Sequence, residues 1–125
     1  MSGRGVVVVE DDGGLRTALE KVLSAGGYTP AMFDSAEALL QAGAAAGAGC
    51  LVLDVRLPGM SGVELYRELV SRGETPPVIF MTAYDDPAVR AETERLGAAA
   101  YLVKPFRGRE LVEAVGETLG VNAAH

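Results

Sequence analysis

Four consecutive valines, Val6–Val9, are followed at once by Glu10, Asp11 and Asp12. β-Branched residues without polar alternation favour a strand covered on both faces, which excludes a sheet with one face in water. Two further runs repeat the pattern: Cys50–Leu53 ends in Asp54, and Val78–Met81 ends in Thr82. Between the runs, apolar residues recur at helical spacing, first Leu15, Ala18, Leu19, Val22 and Leu23, then Val63, Tyr66, Leu69 and Val70. Strands that must be buried on both faces, alternating with amphipathic helices, fold as a parallel sheet between two helical layers.

Weaker signals complete the alternation. Tyr28–Phe33 reads as a second strand, and Ala99–Val103 as a fifth, followed by Lys104-Pro105. Asp34 and Glu37 have the spacing of a capping box for a helix carrying Ala36, Leu39 and Leu40. Residues 42–49, all Ala and Gly, read as a helix end running into a loop, and Gly13-Gly14 as a flexible loop after the acids. Asp86-Pro87 predicts an N-cap with Pro at the first helical position, and Gly97 the end of that helix. This helix has only Val89 and Leu96 as well-placed large apolar residues. Leu111, Ala114, Val115, Thr118 and Leu119 mark the last helix, and Val121–His125 reads as a frayed end. No linker or repeat interrupts the pattern, so residues 1–125 read as one domain with a core over about 5–120.

Composition narrows the function. The net charge of −6 and the lack of a Lys/Arg cluster argue against nucleic-acid binding by this chain. A single cysteine, Cys50, excludes an internal disulfide, and its apolar neighbours make it a small core residue. The four-valine run is too short for a membrane span or signal peptide, which predicts a cytoplasmic protein without a membrane partner.

Parallel strands point one way, so the residues that end them share one edge of the sheet. That edge collects Glu10, Asp11, Asp12, Asp54, Thr82 and Lys104. Crowded carboxylates repel unless a cation neutralises them or one takes up a proton. Ligands made only of oxygen suit a hard ion, and Mg²⁺ is the usual choice where phosphate is handled. Thr82 offers a hydroxyl donor and Lys104 a positive charge, both suited to phosphoryl oxygens. The residues thus predict a Mg²⁺ site with Asp54 as a nucleophile for a phosphoryl group.

The segments VVVVEDD, LVLDVRLPGMSGVEL, VIFMTA and LGAAAYLVKPF also resemble, in order and spacing, the receiver domain of two-component response regulators. The resemblance spans about residues 5–120, and LDVRLPGMSGVEL is most similar to the subgroup with a C-terminal helix-turn-helix output domain, hence transcription regulation where such a domain follows. It implies a flavodoxin-like, doubly wound α/β fold: a five-stranded parallel sheet of order 2-1-3-4-5 with five helices. It implies Asp54 as phospho-acceptor for a sensor histidine kinase, with Asp11 binding Mg²⁺ directly, Glu10 through water, and the backbone carbonyl of Arg56 as a further ligand. It implies Thr82 as the switch hydroxyl, Lys104 as the phosphate-contacting lysine behind a cis peptide to Pro105, and Tyr101 as the aromatic that reports the switch by turning from solvent towards the core. The helix before Tyr101, the fifth strand and the last helix then form a phosphorylation-dependent partner or homodimer surface. Arg56 and Tyr84, two residues beyond Asp54 and Thr82, overhang the site.

Two other classes compete with a signalling module that is not an enzyme. A haloacid-dehalogenase-type phosphatase needs a second Asp two residues after the nucleophile as general acid. Arg56 stands there and cannot release a proton near neutral pH. A flavodoxin-like cofactor binder needs a phosphate-cradling loop after the first strand, where Glu10, Asp11 and Asp12 would repel phosphate.

Overall fold

The computed structural model describes residues 5–120 of the chain; Val121–His125, read above as frayed, lies outside the described residues. The elements run β1 (Gly5–Val9), α1 (Gly13–Ala25), β2 (Ala31–Phe33), α2 (Ala36–Ala42), β3 (Ala48–Asp54), α3 (Gly62–Ser71), β4 (Val78–Thr82), α4 (Pro87–Arg95), β5 (Ala100–Val103) and α5 (Gly108–Leu119). All the strand pairs are parallel and the order is β2-β1-β3-β4-β5. This is the doubly wound, flavodoxin-like arrangement.

Alternate residues of the central strands feed two separate cores, as the period-two geometry of a strand requires. Val7, Val9, Leu51, Leu53, Val78 and Phe80 pack on one face against Ala36 and Leu39 of α2 and Leu65, Tyr66 and Leu69 of α3. Val6, Val8, Cys50, Val52, Ile79 and Met81 pack on the other against Leu19 and Leu23 of α1 and Leu111 and Val115 of α5. Removing one such Leu or Phe side chain from water contributes about 1.5–3 kcal/mol. Cys50 is fully buried, and burial pushes its thiol pKa up to about 12, which makes it the inert core residue expected.

Several local expectations are corrected. The second strand is only Ala31–Phe33, because it pairs on one side alone and its side chains are exposed or half-buried. The third strand starts at Ala48, two residues before Cys50, since Gly43 caps α2 in the left-handed region and Gly47 (φ 77°) completes the turn. Helix α2 is capped by Ser35, whose hydroxyl accepts the Ala38 N–H at 3.0 Å, and not by Asp34. Gly13 and Gly14 form the first turn of α1, capped by Asp12, whose carboxylate accepts the Leu15 N–H at 2.9 Å. Asp12 is therefore a capping residue, and the flexible loop read at Gly13-Gly14 does not exist. Asp86 caps α4 with Pro87 behind it, as the sequence predicts.

Candidate functional site

Strand register brings the site together. Val9 lies opposite Leu53, Asp54 opposite Met81, and Thr82 opposite Val103, so the four strand ends finish at one level. β1 has β2 on one side and β3 on the other, and the chain order reverses between β1 and β3. Open parallel sheets bind ligands at such a switch point, beyond the strands' carboxyl ends. Glu10 and Asp54 flank it.

Both carboxylates are buried, Glu10 to 1% exposure and Asp54 to 5%, while Asp11 is exposed. Carboxylate oxygens of Glu10, Asp11 and Asp54 all lie within 4.8 Å of one another. Lys104 Nζ donates to Glu10 Oε1 at 2.8 Å and to Asp54 Oδ2 at 2.6 Å. The remaining oxygens are held by backbone: Asp12 N–H donates to Glu10 Oε2 at 3.0 Å and Arg56 N–H to Asp54 Oδ1 at 2.9 Å. The Lys104–Pro105 peptide is cis, as the resemblance implies.

The charges do not balance. One ammonium faces three carboxylates, and a set of oxygen donors alone fits a hard divalent cation. Burial raises the Glu10 pKa above the usual carboxylate range, and the Asp54 charge adds to the rise; the Lys104 and Asp12 hydrogen bonds pull it back. Burial works against the charge on Lys104, but its bonds to Asp54 and Glu10 outweigh it and hold its pKa above the ordinary value.

Thr82 and Tyr101 stand outside this cluster. Thr82 is buried, and its hydroxyl donates to the Tyr84 carbonyl at 3.0 Å and accepts the Tyr84 N–H at 3.1 Å. Tyr101 packs against the β3–α3 core, with its hydroxyl enclosed and without a hydrogen-bond partner. Burial, then the nearby Asp85 charge, raises its pKa. The Arg90 guanidinium lies 4.4 Å above the Tyr101 ring and is itself held by Asp85 at 3.0 Å. The ring is thus already packed inward, where the sequence reading has it starting from solvent. Arg56 and Tyr84 stack on each other, 4.8 Å from guanidinium to ring centre. They line a groove of about 520 Å³ between α3 and α4 with Ser61, Arg67, Thr82 and Glu92.

Two side chains support the site through contacts that the sequence does not give them. Arg16, one turn into α1, reaches back to the Glu10 carbonyl at 2.9 Å. Glu37, on α2, accepts the Met60 N–H at 3.0 Å across 23 residues of chain. Arg16 follows the acids at helical spacing, which is a signal for its contact. Nothing local marks Glu37 as reaching Met60.

Among the described residues no helix is long and apolar enough to cross a membrane. The chain is 42% identical over 118 residues to the transcriptional regulatory protein FixJ of Azorhizobium caulinodans, covering 94% of this chain and 56% of that one. It is 37% identical to the transcriptional regulatory protein TdiR of Thauera aromatica, covering 94% and 52%. It therefore spans about half the length of the curated relatives it matches. Among solved structures it superposes on a crystal structure of FixJ-N with a TM-score of 0.82 and 34% identity, covering 92% of both chains. The response regulator StyR gives a TM-score of 0.85 at 37% identity, covering 96% of this chain and 61% of that one. The family model for the response regulator receiver domain matches residues 6–116, and with these relatives it shows that the chain belongs to the response regulator receiver family.

Proposed function

We propose that Asp54 accepts a phosphoryl group from a sensor histidine kinase in a Mg²⁺-dependent reaction. The observation that carries this reading is a buried carboxylate at the sheet's switch point, hydrogen-bonded to a lysine and crowded by two further acids. Glu10, Asp11, Asp54 and the backbone carbonyl of Arg56 would hold the metal. Bound Mg²⁺ would supply the positive charge that lets an anionic carboxylate meet an anionic phosphoryl group. An Asp54 oxygen attacks phosphorus, the bond from phosphorus to the donor atom breaks, and its electron pair leaves with the donor. Lys104 then has a phosphoryl oxygen to pair with in place of the Asp54 oxygen it now holds. Arg56 offers no general acid, which supports a module that keeps its phosphoryl group over a phosphatase. Incubation with acetyl phosphate and Mg²⁺ is expected to add one phosphoryl group to the intact mass, mapped to Asp54, and to add none with chelator. No gain, or a gain mapped elsewhere, overturns the reading.

The signal's exit is proposed to run through Thr82 and Tyr101 to a partner or homodimer surface of α4, β5 and α5. Helix α4 supports this route: Thr93 is its one buried residue, Val89 packs half-buried on the core, and its further ties to other elements are the surface ion pair Arg67–Glu92 and the stacking of Arg90 on Tyr101. Elements with few buried contacts are those that move in switching. For Thr82 to donate to a phosphoryl oxygen its hydroxyl must give up the Tyr84 carbonyl, which frees one backbone tie in the chain entering α4. Thr82→Ala is expected to accept phosphoryl and lose most of the induced association in sedimentation or partner titration. If Thr82→Ala and Tyr101→Ala both associate like wild type, this route is wrong. The relatives named as transcriptional regulatory proteins support transcription as the output where an effector domain is joined to the receiver.

A further inference from the structure

The turn between β3 and α3 carries the backbone on both sides of Arg56, and what holds that turn is uneven. Arg56 N–H is tied to Asp54 itself, and Ser61 belongs to its own helix through a capping box with Glu64. Among the described residues, the stretch from Arg56 to Met60 has one hydrogen bond to a different element, and that is Met60 N–H to Glu37 Oε2 at 3.0 Å. The carboxylate also lies against Gly59, where a Cβ would sit 2.8 Å from Oε2, and Gly59 holds the left-handed φ of 75° that closes the turn. This bond holds the Glu37 carboxyl below the usual carboxylate range, so the acceptor stays ionised at neutral pH.

We propose that Glu37 is a positioning residue for the phosphorylation site: from α2 it clasps the Gly59–Met60 turn and so fixes the Arg56 backbone against Asp54. The proposal rests on the metal and phospho-acceptor reading above, and it adds a residue that touches neither metal nor phosphoryl group. Its effect falls on how well the Arg56 carbonyl is preorganised as a ligand. A turn free to drift must be ordered when the ion binds, which weakens binding without removing a ligand.

The test compares wild type, Glu37→Ala and Glu37→Gln in thermal melts against Mg²⁺ concentration, with phosphorylation by acetyl phosphate followed by intact mass in parallel. Glu37→Ala is expected to raise the half-saturating Mg²⁺ concentration about three- to tenfold, the range of one lost charge-assisted hydrogen bond partly replaced by water. Its phosphorylation rate should fall at low Mg²⁺ and recover when Mg²⁺ saturates. Glu37→Gln keeps an oxygen acceptor at the same reach and is expected to restore most of the affinity. A purely structural role would lower the metal-free melting temperature and leave the Mg²⁺ midpoint alone. A wild type that responds to Mg²⁺ beside a Glu37→Ala with the same midpoint overturns this proposal alone. So does a Glu37→Gln as weak as Glu37→Ala. A wild type with no Mg²⁺ response overturns the metal reading and this proposal with it.

Discussion

Asp54→Asn is expected to take up no phosphoryl group from acetyl phosphate or a kinase, and to melt no lower than wild type in metal-free buffer. The two results have different origins. The amide has no anionic oxygen to attack phosphorus, so transfer to this position stops altogether. Stability should hold because the substitution removes one attraction and two repulsions. Lys104 loses its 2.6 Å contact with Asp54 but keeps Glu10 at 2.8 Å. Glu10 and Asp11 each lose a negative neighbour whose oxygens lie within 4.8 Å. The amide oxygen can still accept the Arg56 N–H, with Lys104 turning its ammonium to Glu10 because the amide NH2 then takes the place of the oxygen it held. The balance should favour the variant by about 1 kcal/mol, or about 4 °C in melting temperature for a domain of this size. Phosphoryl uptake that persists in Asp54→Asn would remove Asp54 as the acceptor. A large fall in melting temperature would mean that Lys104 outweighs the repulsion.

The second large effect is expected at Gly62, a residue with no chemistry of its own. Gly62 opens α3, and a Cβ there would lie 2.2 Å from the backbone oxygen of Asp54 and 3.0 Å from its carbonyl carbon. Neither atom belongs to a side chain that can rotate away. Relief therefore requires the helix to withdraw or the end of β3 to shift. The helix is tied down by the Gly62 N–H to Val55 at 3.1 Å and by the Ser61–Glu64 capping box. Strand β3 is fixed between β1 and β4. Gly62→Ala is expected to destabilise the fold by about 3 kcal/mol, the upper end for overpacking, and to slow phosphorylation of the molecules that remain folded. Denaturant titration and the mass assay read both. A loss under about 0.5 kcal/mol, the range of neutral surface changes, would show that the helix entry yields freely.

How much of this was legible in the sequence depended on whether the relevant contact was local. The three strands buried on both faces announced themselves as Val6–Val9, Cys50–Leu53 and Val78–Met81, because no polar residue interrupts them. Their ends then placed Glu10, Asp11, Asp54 and Thr82 on one edge, and the weaker fifth strand added Lys104, since parallel strands leave no other arrangement. The edge strand β2 was overextended because a strand paired on one side needs no apolar run. Asp34 and Glu37 matched a capping box by spacing, yet Ser35 took the cap and the Glu37 carboxylate went to Met60, a partner 23 residues away. Asp12 reads from the sequence as one more acid at the strand edge, because composition cannot tell a capping carboxylate from a free one. That Lys104 bridges Glu10 and Asp54 is not legible from spacing, because a half-buried ammonium pairs with whatever anions the fold brings nearest.

The Glu10–Lys104 ion pair joins residues 94 positions apart. While the polypeptide is being synthesised, β1 and its acids leave the ribosome first, and the lysine that balances them comes only after β5. Until then Glu10 and Asp54 are negative charges without their native counterion, on strands whose neighbours are not yet all present. Long-range closure of this kind must be completed before it brings any stabilisation. A nascent chain truncated before Lys104 therefore holds Glu10 and Asp54 without the ammonium that pairs with both in the folded domain. The charge cluster at the strand ends is complete only when that last strand has docked beside β4.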